Sequence, residues 1–418
     1  MGAFWHPFAD MASVPTAELV IDRGDGYHVY DAAGKEYIDA TASLWYCNVG
    51  YGRSSIVEAA MKQMRRLPAY STFGDLANAP VLELADRLAS IAPLPGSKVF
   101  FTSGGSDSID TATKLVERYF AVTGQRDRRT LVVRHHAYHG MHIAGTSLAG
   151  IPANNAGQSL VLKDVLQVPW DSVDGFIDTV DDYGAERVAA IFCEPIIGAG
   201  GVFAPPDGYL KDLRQACSER GILLVADEVV TGFGRVGDWF ASTRFSLEPD
   251  LVVCAKGITS GYLPLGAVIV APEIAAPFWE GDAGMWRHGY TYSGHATVAA
   301  AALANLDILE DEQLNSKALK LETDVAEALD PLAAHELVSE VRSGTGVLAA
   351  VQLDPQRIKQ NPALPSQVVS AARGHGVMTR SLATGAIHVS PPLVIDRAGL
   401  DELRIRLEKA LQEAARDG

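Results

Sequence analysis

Cysteine is scarce in this chain, with four among 418 residues. Cys47, Cys193, Cys217 and Cys254 are widely spaced and form no C-x-x-C, so neither a redox dithiol nor a thiolate metal site is suggested. Cys193 and Cys254 sit in apolar runs and read as inert core thiols. That usage fits a reducing compartment, and a cytoplasmic location is the expectation. Basic residues are also short: 35 Lys and Arg against 51 Asp and Glu give a net charge of −16. Nucleic acid and anionic membrane are therefore poor partners. No run of 18 apolar residues is present, which excludes a spanning helix. The opening Met1-Gly2-Ala3-Phe4-Trp5-His6-Pro7 lacks a basic stretch followed by an apolar core, and His6 stands where a myristoylation motif carries Ser or Thr. Neither a signal peptide nor a lipid anchor is expected. Internal repeats and low-complexity segments are missing too. What remains is ordinary globular composition, 48% apolar and 21% charged, with ample core, and the length suits two or three domains or one large α/β unit with a satellite.

The informative stretch is 221–257. Gly221-Ile222-Leu223-Leu224-Val225-Ala226 runs into Asp227-Glu228, and Leu251-Val252-Val253-Cys254-Ala255 runs into Lys256-Gly257. Apolar runs ending in charge read as buried parallel strands. Ligands of open α/β sheets bind beyond the carboxyl ends of strands, so Asp227 and Lys256 are expected to face one crevice. The pair admits two readings. One is a salt bridge between strand ends. The other is a site for pyridoxal 5'-phosphate, which a lysine holds as a Schiff base while a carboxylate meets the pyridinium nitrogen. Between them, Gly232-Phe233-Gly234-Arg235-Val236-Gly237 spells G-x-G-x-x-G. A dinucleotide fingerprint needs its first glycine directly after the strand and a helix at the third. Five residues intervene here and Asp238-Trp239-Phe240 is a poor helix start, so these glycines read as a loop.

Taken in order, residues 18–39 resemble a hairpin around the turn Asp31-Ala32-Ala33-Gly34. A loop follows, with Trp45, Tyr46 and Tyr51 among glycines. Helical spacing of Ile56, Val57, Ala60, Met61, Met64 and Leu67 predicts a helix from Ser54 or Ser55. A second helix is predicted from Pro80 to Ile91. Strands are expected near Val99, Leu131, Ala189, Leu223 and Leu251, alternating with helices, which argues a mainly parallel sheet. Thr102-Ser103-Gly104-Gly105-Ser106-Asp107 precedes a helix predicted over Ile109–Phe120. This is either a phosphate cup of unpaired backbone N–H groups or a turn capped by Ser106 or Asp107. It lacks the G-K-[ST] of a Walker loop. His135, His136 and His139 lie close together, but no carboxylate or cysteine accompanies them, so no metal is expected. Glu194 is a third acid at a strand end. Past residue 315 the pattern shifts to shorter strands and helices.

As an ordered set these motifs resemble the class III aminotransferases of PLP fold type I, with the omega-amino acid and amine:pyruvate transaminases nearest in detail. The resemblance covers nearly the whole chain. It implies a large domain with a mainly parallel seven-stranded sheet over 56–314, and a smaller α+β domain made of 1–55 and 315–418. The family's T-N-S-G-S-E-A-N-D appears as Thr102–Asp110, which implies phosphate contacts from Gly105 and Ser106, with Asp107 and Ile109 as departures. Its Y-H-G is Tyr138-His139-Gly140, the tyrosine stacking on the ring. Its E-P is Glu194-Pro195. Its D-E-V is Asp227-Glu228-Val229, the valine packing on the opposite ring face. Lys256 matches the Schiff-base lysine and catalytic base. Tyr290 and Thr291 match the stretch whose threonine reaches the neighbouring subunit's phosphate, implying a homodimer with shared active sites and leaving a tetramer open.

Two further departures concern substrate. Val230 and Ala199 replace a glutamine and a glutamate typical of the relatives that use 2-oxoglutarate. Arg380 resembles the mobile arginine of the pyruvate-using subgroup, which binds a carboxylate bidentately. Trp45 resembles its pocket wall, and Phe73 is a second candidate for that wall. The resemblance thus implies amino transfer from an omega-amino acid or amine donor to a keto acid, with pyruvate the expected acceptor. Lys256 and Asp227 do not by themselves choose which bond breaks, so a mutase, decarboxylase or lyase of this fold is an alternative. A nicotinamide-dependent dehydrogenase is the alternative of another class.

Overall fold

Residues 18–39 form three antiparallel strands where a two-stranded hairpin was expected: β1 (Ile21–Asp25), β2 (His28–Asp31) and β3 (Glu36–Asp39). The added strand β1, Ile-Asp-Arg-Gly-Asp, is an exposed edge. Nothing on it is buried, so no alternation marks it. The computed structural model describes residues 3–281 and 283–417, and the reading of Met1 and Gly2 lies outside the described residues.

The middle of the chain builds a seven-stranded sheet from β4 (Lys98–Thr102), β5 (Thr130–Arg134), β6 (Val165–Val168), β7 (Val188–Cys193), β8 (Leu223–Asp227), β9 (Leu251–Cys254) and β10 (Gly266–Val270). The order across it is β4-β10-β9-β8-β7-β5-β6. Adjacent pairs from β9 through β8, β7 and β5 to β6 are parallel, and β10 runs antiparallel to both β9 and β4. Every residue of β7, β8, β9 and β10 is buried, which is why these strands are unbroken apolar runs. The helix Tyr209–Arg220 feeds β8. Gly221 closes it at φ +62°, and the Ile222 N–H bonds back to the Cys217 carbonyl at 2.9 Å, a glycine-dependent stop. The β8/β9 register pairs Asp227 with Val253. That leaves Asp227 and Lys256 at the same end of neighbouring strands.

The rest of the chain adds β11 (Val338–Arg342), β12 (Ala349–Leu353), β13 (Val377–Met378) and β14 (Ile387–Val389). β11, β12 and β14 form an antiparallel sheet, whereas β13 joins β3 in parallel. The two ends of the chain therefore share a sheet. The helix Arg397–Asp417 ends the fold. Among the described residues, no helix is long and apolar enough to cross a membrane.

The helix Ser54–Arg66 forms as predicted, but only part of its apolar stripe faces the core. Ile56 is buried, while Val57, Met61 and Met64 are 47%, 45% and 52% exposed. The glycine-rich stretch 232–237 is a packed loop. Its Phe233, Gly234 and Gly237 have φ of +58°, +92° and +84°, and Glu228 anchors it from beneath. The buried carboxylate of Glu228 accepts the N–H groups of Ala241 (3.0 Å) and Ser242 (2.6 Å), the Ser242 hydroxyl (2.7 Å) and the Thr231 hydroxyl. A buried acid so fully engaged serves structure, and these glycines open no helix.

Candidate active site

Beyond the carboxyl ends of β7, β8 and β9 lies a crevice lined by Trp45, Gly105, Ser106, Tyr138, His139, Glu194, Asp227, Val229 and Lys256 among others. Nine of the residues implied by the resemblance thus meet in one place. Asp227 is buried. Its Oδ1 accepts the Val229 N–H at 3.0 Å, and its Oδ2 lies 2.6 Å from His139 Nδ1. The carboxylate is fixed at both oxygens and has no freedom to turn. Lys256 follows β9 with φ +47°, a left-handed conformation that a non-glycine residue keeps only under constraint. Asn305 ties the adjacent turn through the Gly257 and Ile258 carbonyls at 2.9 and 3.1 Å. Burial pushes the Lys256 amine down to about 8, opposed by Asp227 and Glu194 and helped by Arg380. A lysine in that state is a usable nucleophile and base near neutral pH.

Glu194 does not face Lys256 as a free acid. Its carboxylate accepts the Tyr138 N–H at 2.9 Å and the Gly198 N–H at 3.0 Å, and Arg134 donates to its backbone carbonyl. It therefore holds the Tyr138 segment in place. Burial raises its pKa, with His139 opposing.

The helix predicted from Ile109 begins at Gly105 and runs to Val122. Its N-cap is Gly104, and no side chain caps it. Ser106 Oγ instead accepts the Met141 N–H at 3.2 Å, and Asp107 reaches back to the Ser103 N–H at 3.2 Å. Of the two sequence readings, capping by Ser106 or Asp107 does not form, which leaves an uncapped helix N-terminus whose Gly105 and Ser106 line the crevice. At Gly105 a Cβ would come within 3.1 Å of Val229 Cγ1 and press on that side chain.

Trp45 forms a wall of the crevice and is held from both ends. Ala42, Ser43 and Trp45 have φ of +44°, +58° and +63°. The strain is contained by buried Asp39, whose carboxylate accepts the Thr41 N–H (3.0 Å), the Ser43 N–H (2.7 Å) and the Tyr51 hydroxyl (2.7 Å). At the far end, the indole N–H donates to Ser390 Oγ at 3.2 Å. The half-buried guanidinium of Arg380 lies 4.4 Å from the indole centroid, and Lys256 Nζ lies 5.5 Å from it. Sequence reasoning missed Asp39, whose contacts are local, and His388 and Ser390, which meet Trp45 from the far end of the chain.

Tyr290, Thr291 and Phe73 are not brought to this crevice. Tyr290 docks on the Gly105–Val122 helix through its hydroxyl, which donates to the Asp107 carbonyl at 3.0 Å. Thr291 and Phe73 line a separate surface groove with Tyr70 and Tyr292, and Phe73 is 57% exposed.

An uncapped helix N-terminus, an acid fixed at both oxygens and a buried lysine of lowered pKa around one slot fit pyridoxal phosphate. Gly105 and Ser106 would hold its phosphate, Asp227 its ring nitrogen and Lys256 its reactive carbon. A sequence profile of the class III aminotransferases matches residues 9–411. A putrescine–pyruvate aminotransferase of Pseudomonas aeruginosa is 38% identical, over 98% of this chain and 94% of its own. Among solved structures, a transaminase from the marine bacterium Virgibacillus superposes with a TM-score of 0.95 at 36% identity, covering 99% of this chain and 98% of that one. An amine transaminase from an uncultivated Pseudomonas species in its PLP-bound form gives 0.93 at 35% identity over 99% of both chains. The chain belongs to the class III aminotransferases and is a pyridoxal-phosphate-dependent aminotransferase.

Proposed function

We propose that this aminotransferase moves an amino group from an amine or omega-amino acid donor to a keto acid, with pyruvate as acceptor. The observation that carries the reading is the shared crevice of Lys256, Asp227, Trp45 and the nearby Arg380. When bound, pyridoxal phosphate supplies an electron sink for the carbanion left by loss of the substrate's α-proton. The chain's residues do the rest. Lys256 would hold the cofactor and, once freed, would move the proton as general base. Asp227, oriented by His139 and Val229, would favour positive charge at the ring nitrogen. Tyr138 and Val229 would bracket the ring. Arg380 receives the keto acid's carboxylate and gives way to a donor without one. Ala199 and Val230 line the crevice where a glutamate and a glutamine would suit other acceptors, and the putrescine–pyruvate relative supports the same subgroup.

A panel of donors with pyruvate or 2-oxoglutarate tests the assignment, read with Arg380→Ala beside the native enzyme. Loss of a bidentate charge-assisted contact should cut kcat/KM for pyruvate by about 100-fold or more and that for a plain amine by less than about tenfold. Equal losses would sink the arginine's role, and 2-oxoglutarate outrunning pyruvate would sink the acceptor.

The lowered pKa of Lys256 predicts a pH dependence. Cofactor-free enzyme should recapture pyridoxal phosphate at a rate that rises with pH and levels off above about 8, because only the unprotonated amine attacks. Well below that midpoint the rate should fall about tenfold per pH unit. A midpoint near that of a free lysine would refute the burial effect.

The working unit in this reading is a homodimer in which Thr291 and Phe73 complete the partner's crevice. The outward stripe of Val57, Met61 and Met64 and the exposed Tyr70, Phe73 and Tyr292 support it, since soluble monomers seldom expose so much clustered apolar surface. Sedimentation should give twice the 44.6 kDa chain mass, and Met61→Glu with Met64→Glu should shift it toward monomer. A native monomer with full activity would overturn this.

A further inference from the structure

The mobile-arginine reading leaves open what Arg380 rests on, and the structure supplies a built platform. Beneath Trp45 lies His388, fully buried on β14, with ring centroids 4.2 Å apart and planes at 42°. His388 Nε2 is 2.9 Å from Ser390 Oγ, the same oxygen that accepts the indole N–H of Trp45. The backbone closes the arrangement: the His388 N–H donates to the Arg380 carbonyl at 3.0 Å, and the Thr379 hydroxyl donates to the His388 carbonyl at 2.6 Å. His388 thus touches the wall, the hydroxyl that anchors the wall and the backbone of the arginine itself. The remaining polar atoms, His388 Nδ1 and Arg380 Nε, are buried without hydrogen-bond partners.

We propose that His388, acting through Ser390, is a positioning residue that holds Trp45 as the resting face for the Arg380 guanidinium and so sets the enzyme's preference for carboxylate-bearing substrates. This rests on the reading of Arg380 given above. An indole can only donate from its ring nitrogen, so Ser390 Oγ accepts there, and the same oxygen is shared with His388 Nε2 at 2.9 Å, which ties the His388 ring to the anchor of the wall. Burial, and then the facing charges of Arg380, Arg235 and Lys256, hold the ring's pKa well below its usual value, so the imidazole stays neutral while the enzyme works. A neutral imidazole packed against the indole brings no charge to compete with the guanidinium 4.4 Å from the indole centroid. Were the indole free to turn, Arg380 would have no fixed parking position, and each carboxylate would bear the entropy of ordering it.

The test uses the holoenzyme and propionate, a carboxylate with no keto or amino group, bound at equilibrium and followed by dialysis, together with steady-state kinetics on pyruvate. His388→Leu and Ser390→Ala should each weaken propionate binding and raise KM for pyruvate about tenfold, the size of one desolvated cation–π contact. kcat at saturating pyruvate should fall by less than about threefold, the mark of lost binding without lost chemistry. His388→Gln, which can still reach Ser390, should recover most of the propionate affinity. If Arg380→Ala weakens propionate but neither His388→Leu nor Ser390→Ala does, the platform is refuted and the arginine reading stands. If Arg380→Ala itself leaves propionate unchanged, the arginine reading fails. Losses of kcat and KM together in correctly folded Ser390→Ala would make the cluster merely structural and overturn the proposal.

Discussion

Lys256→Ala is expected to lower turnover by at least about 10⁴-fold, because one substitution removes both the nucleophile that holds the cofactor and the base that moves the proton. The fold should survive it. Alanine can adopt the φ of +47° that lysine already adopts there, and the turn is held by Asn305 and backbone bonds that the side chain does not make. Stability should even improve slightly in the cofactor-free protein at neutral pH. The folded-state pKa of Lys256, about 8, lies below its ordinary value of 10.5. The unfolded chain therefore binds more protons between those values, and native stability rises with pH across that window. Below about 8 the native protein carries the full cost of a charged amine in a dry site, and the alanine variant does not. Thermal melts of the two proteins at pH 7 and pH 10 check this, with a gap that closes at the higher pH. A variant retaining more than about one hundredth of native transamination would remove Lys256 from its role.

How much of this was legible beforehand follows from the range of each signal. The strands bearing Asp227 and Lys256 could be read because parallel strands buried on both faces are continuous apolar runs, and because the charges follow at their ends. β6 and β10 were not among the strands read from pattern. Val-Leu-Gln-Val is short and sits after a polar loop, and β10 lies antiparallel between two strands distant in sequence. The Ser54–Arg66 helix was recognised from a period of 3.6, yet period says only that a face is apolar, and here Ile56 is buried while Val57, Met61 and Met64 are exposed. The start of the cup helix was placed four residues late, since Gly105, Ser106 and Asp107 are poor helix formers taken alone. Motif matching supplied Tyr138, His139, Glu194 and Val229, which the structure gathers at the crevice. It did not supply Asp39, and it could not supply His388 or Ser390. Trp45 meets Ser390 across 345 residues of chain, and no local pattern records such a meeting. Tyr290, Thr291 and Phe73 were named for the site but lie outside it within one chain.

Asp227→Asn should cost about 10³-fold in turnover, or about 4 kcal/mol, while changing almost no volume. The loss of charge is the first cause, since an amide cannot favour a proton on the ring nitrogen as a carboxylate does. Geometry adds a second. In the native site the carboxylate accepts from both sides: the Val229 N–H on Oδ1 and His139 Nδ1 on Oδ2 at 2.6 Å. An asparagine has one acceptor and one donor to offer. If its oxygen keeps the Val229 N–H, its NH₂ group faces His139 Nδ1, and that ring must shift its proton to Nε2. Nε2 is buried and without a partner, so the proton would be stranded there. If the amide turns over, its NH₂ group meets the Val229 N–H donor instead. Either arrangement loosens the residue that orients the ring. A companion effect separates this mechanism from general damage. Asp227 is the leading charge that supports a protonated Lys256, against Arg380. Removing it leaves Arg380 less opposed, so the Lys256 pKa should drop further. The pH midpoint for recapture of pyridoxal phosphate should accordingly move below about 8 in Asp227→Asn, even as turnover collapses. An unchanged or raised midpoint would mean that these two side chains do not share one electrostatic site.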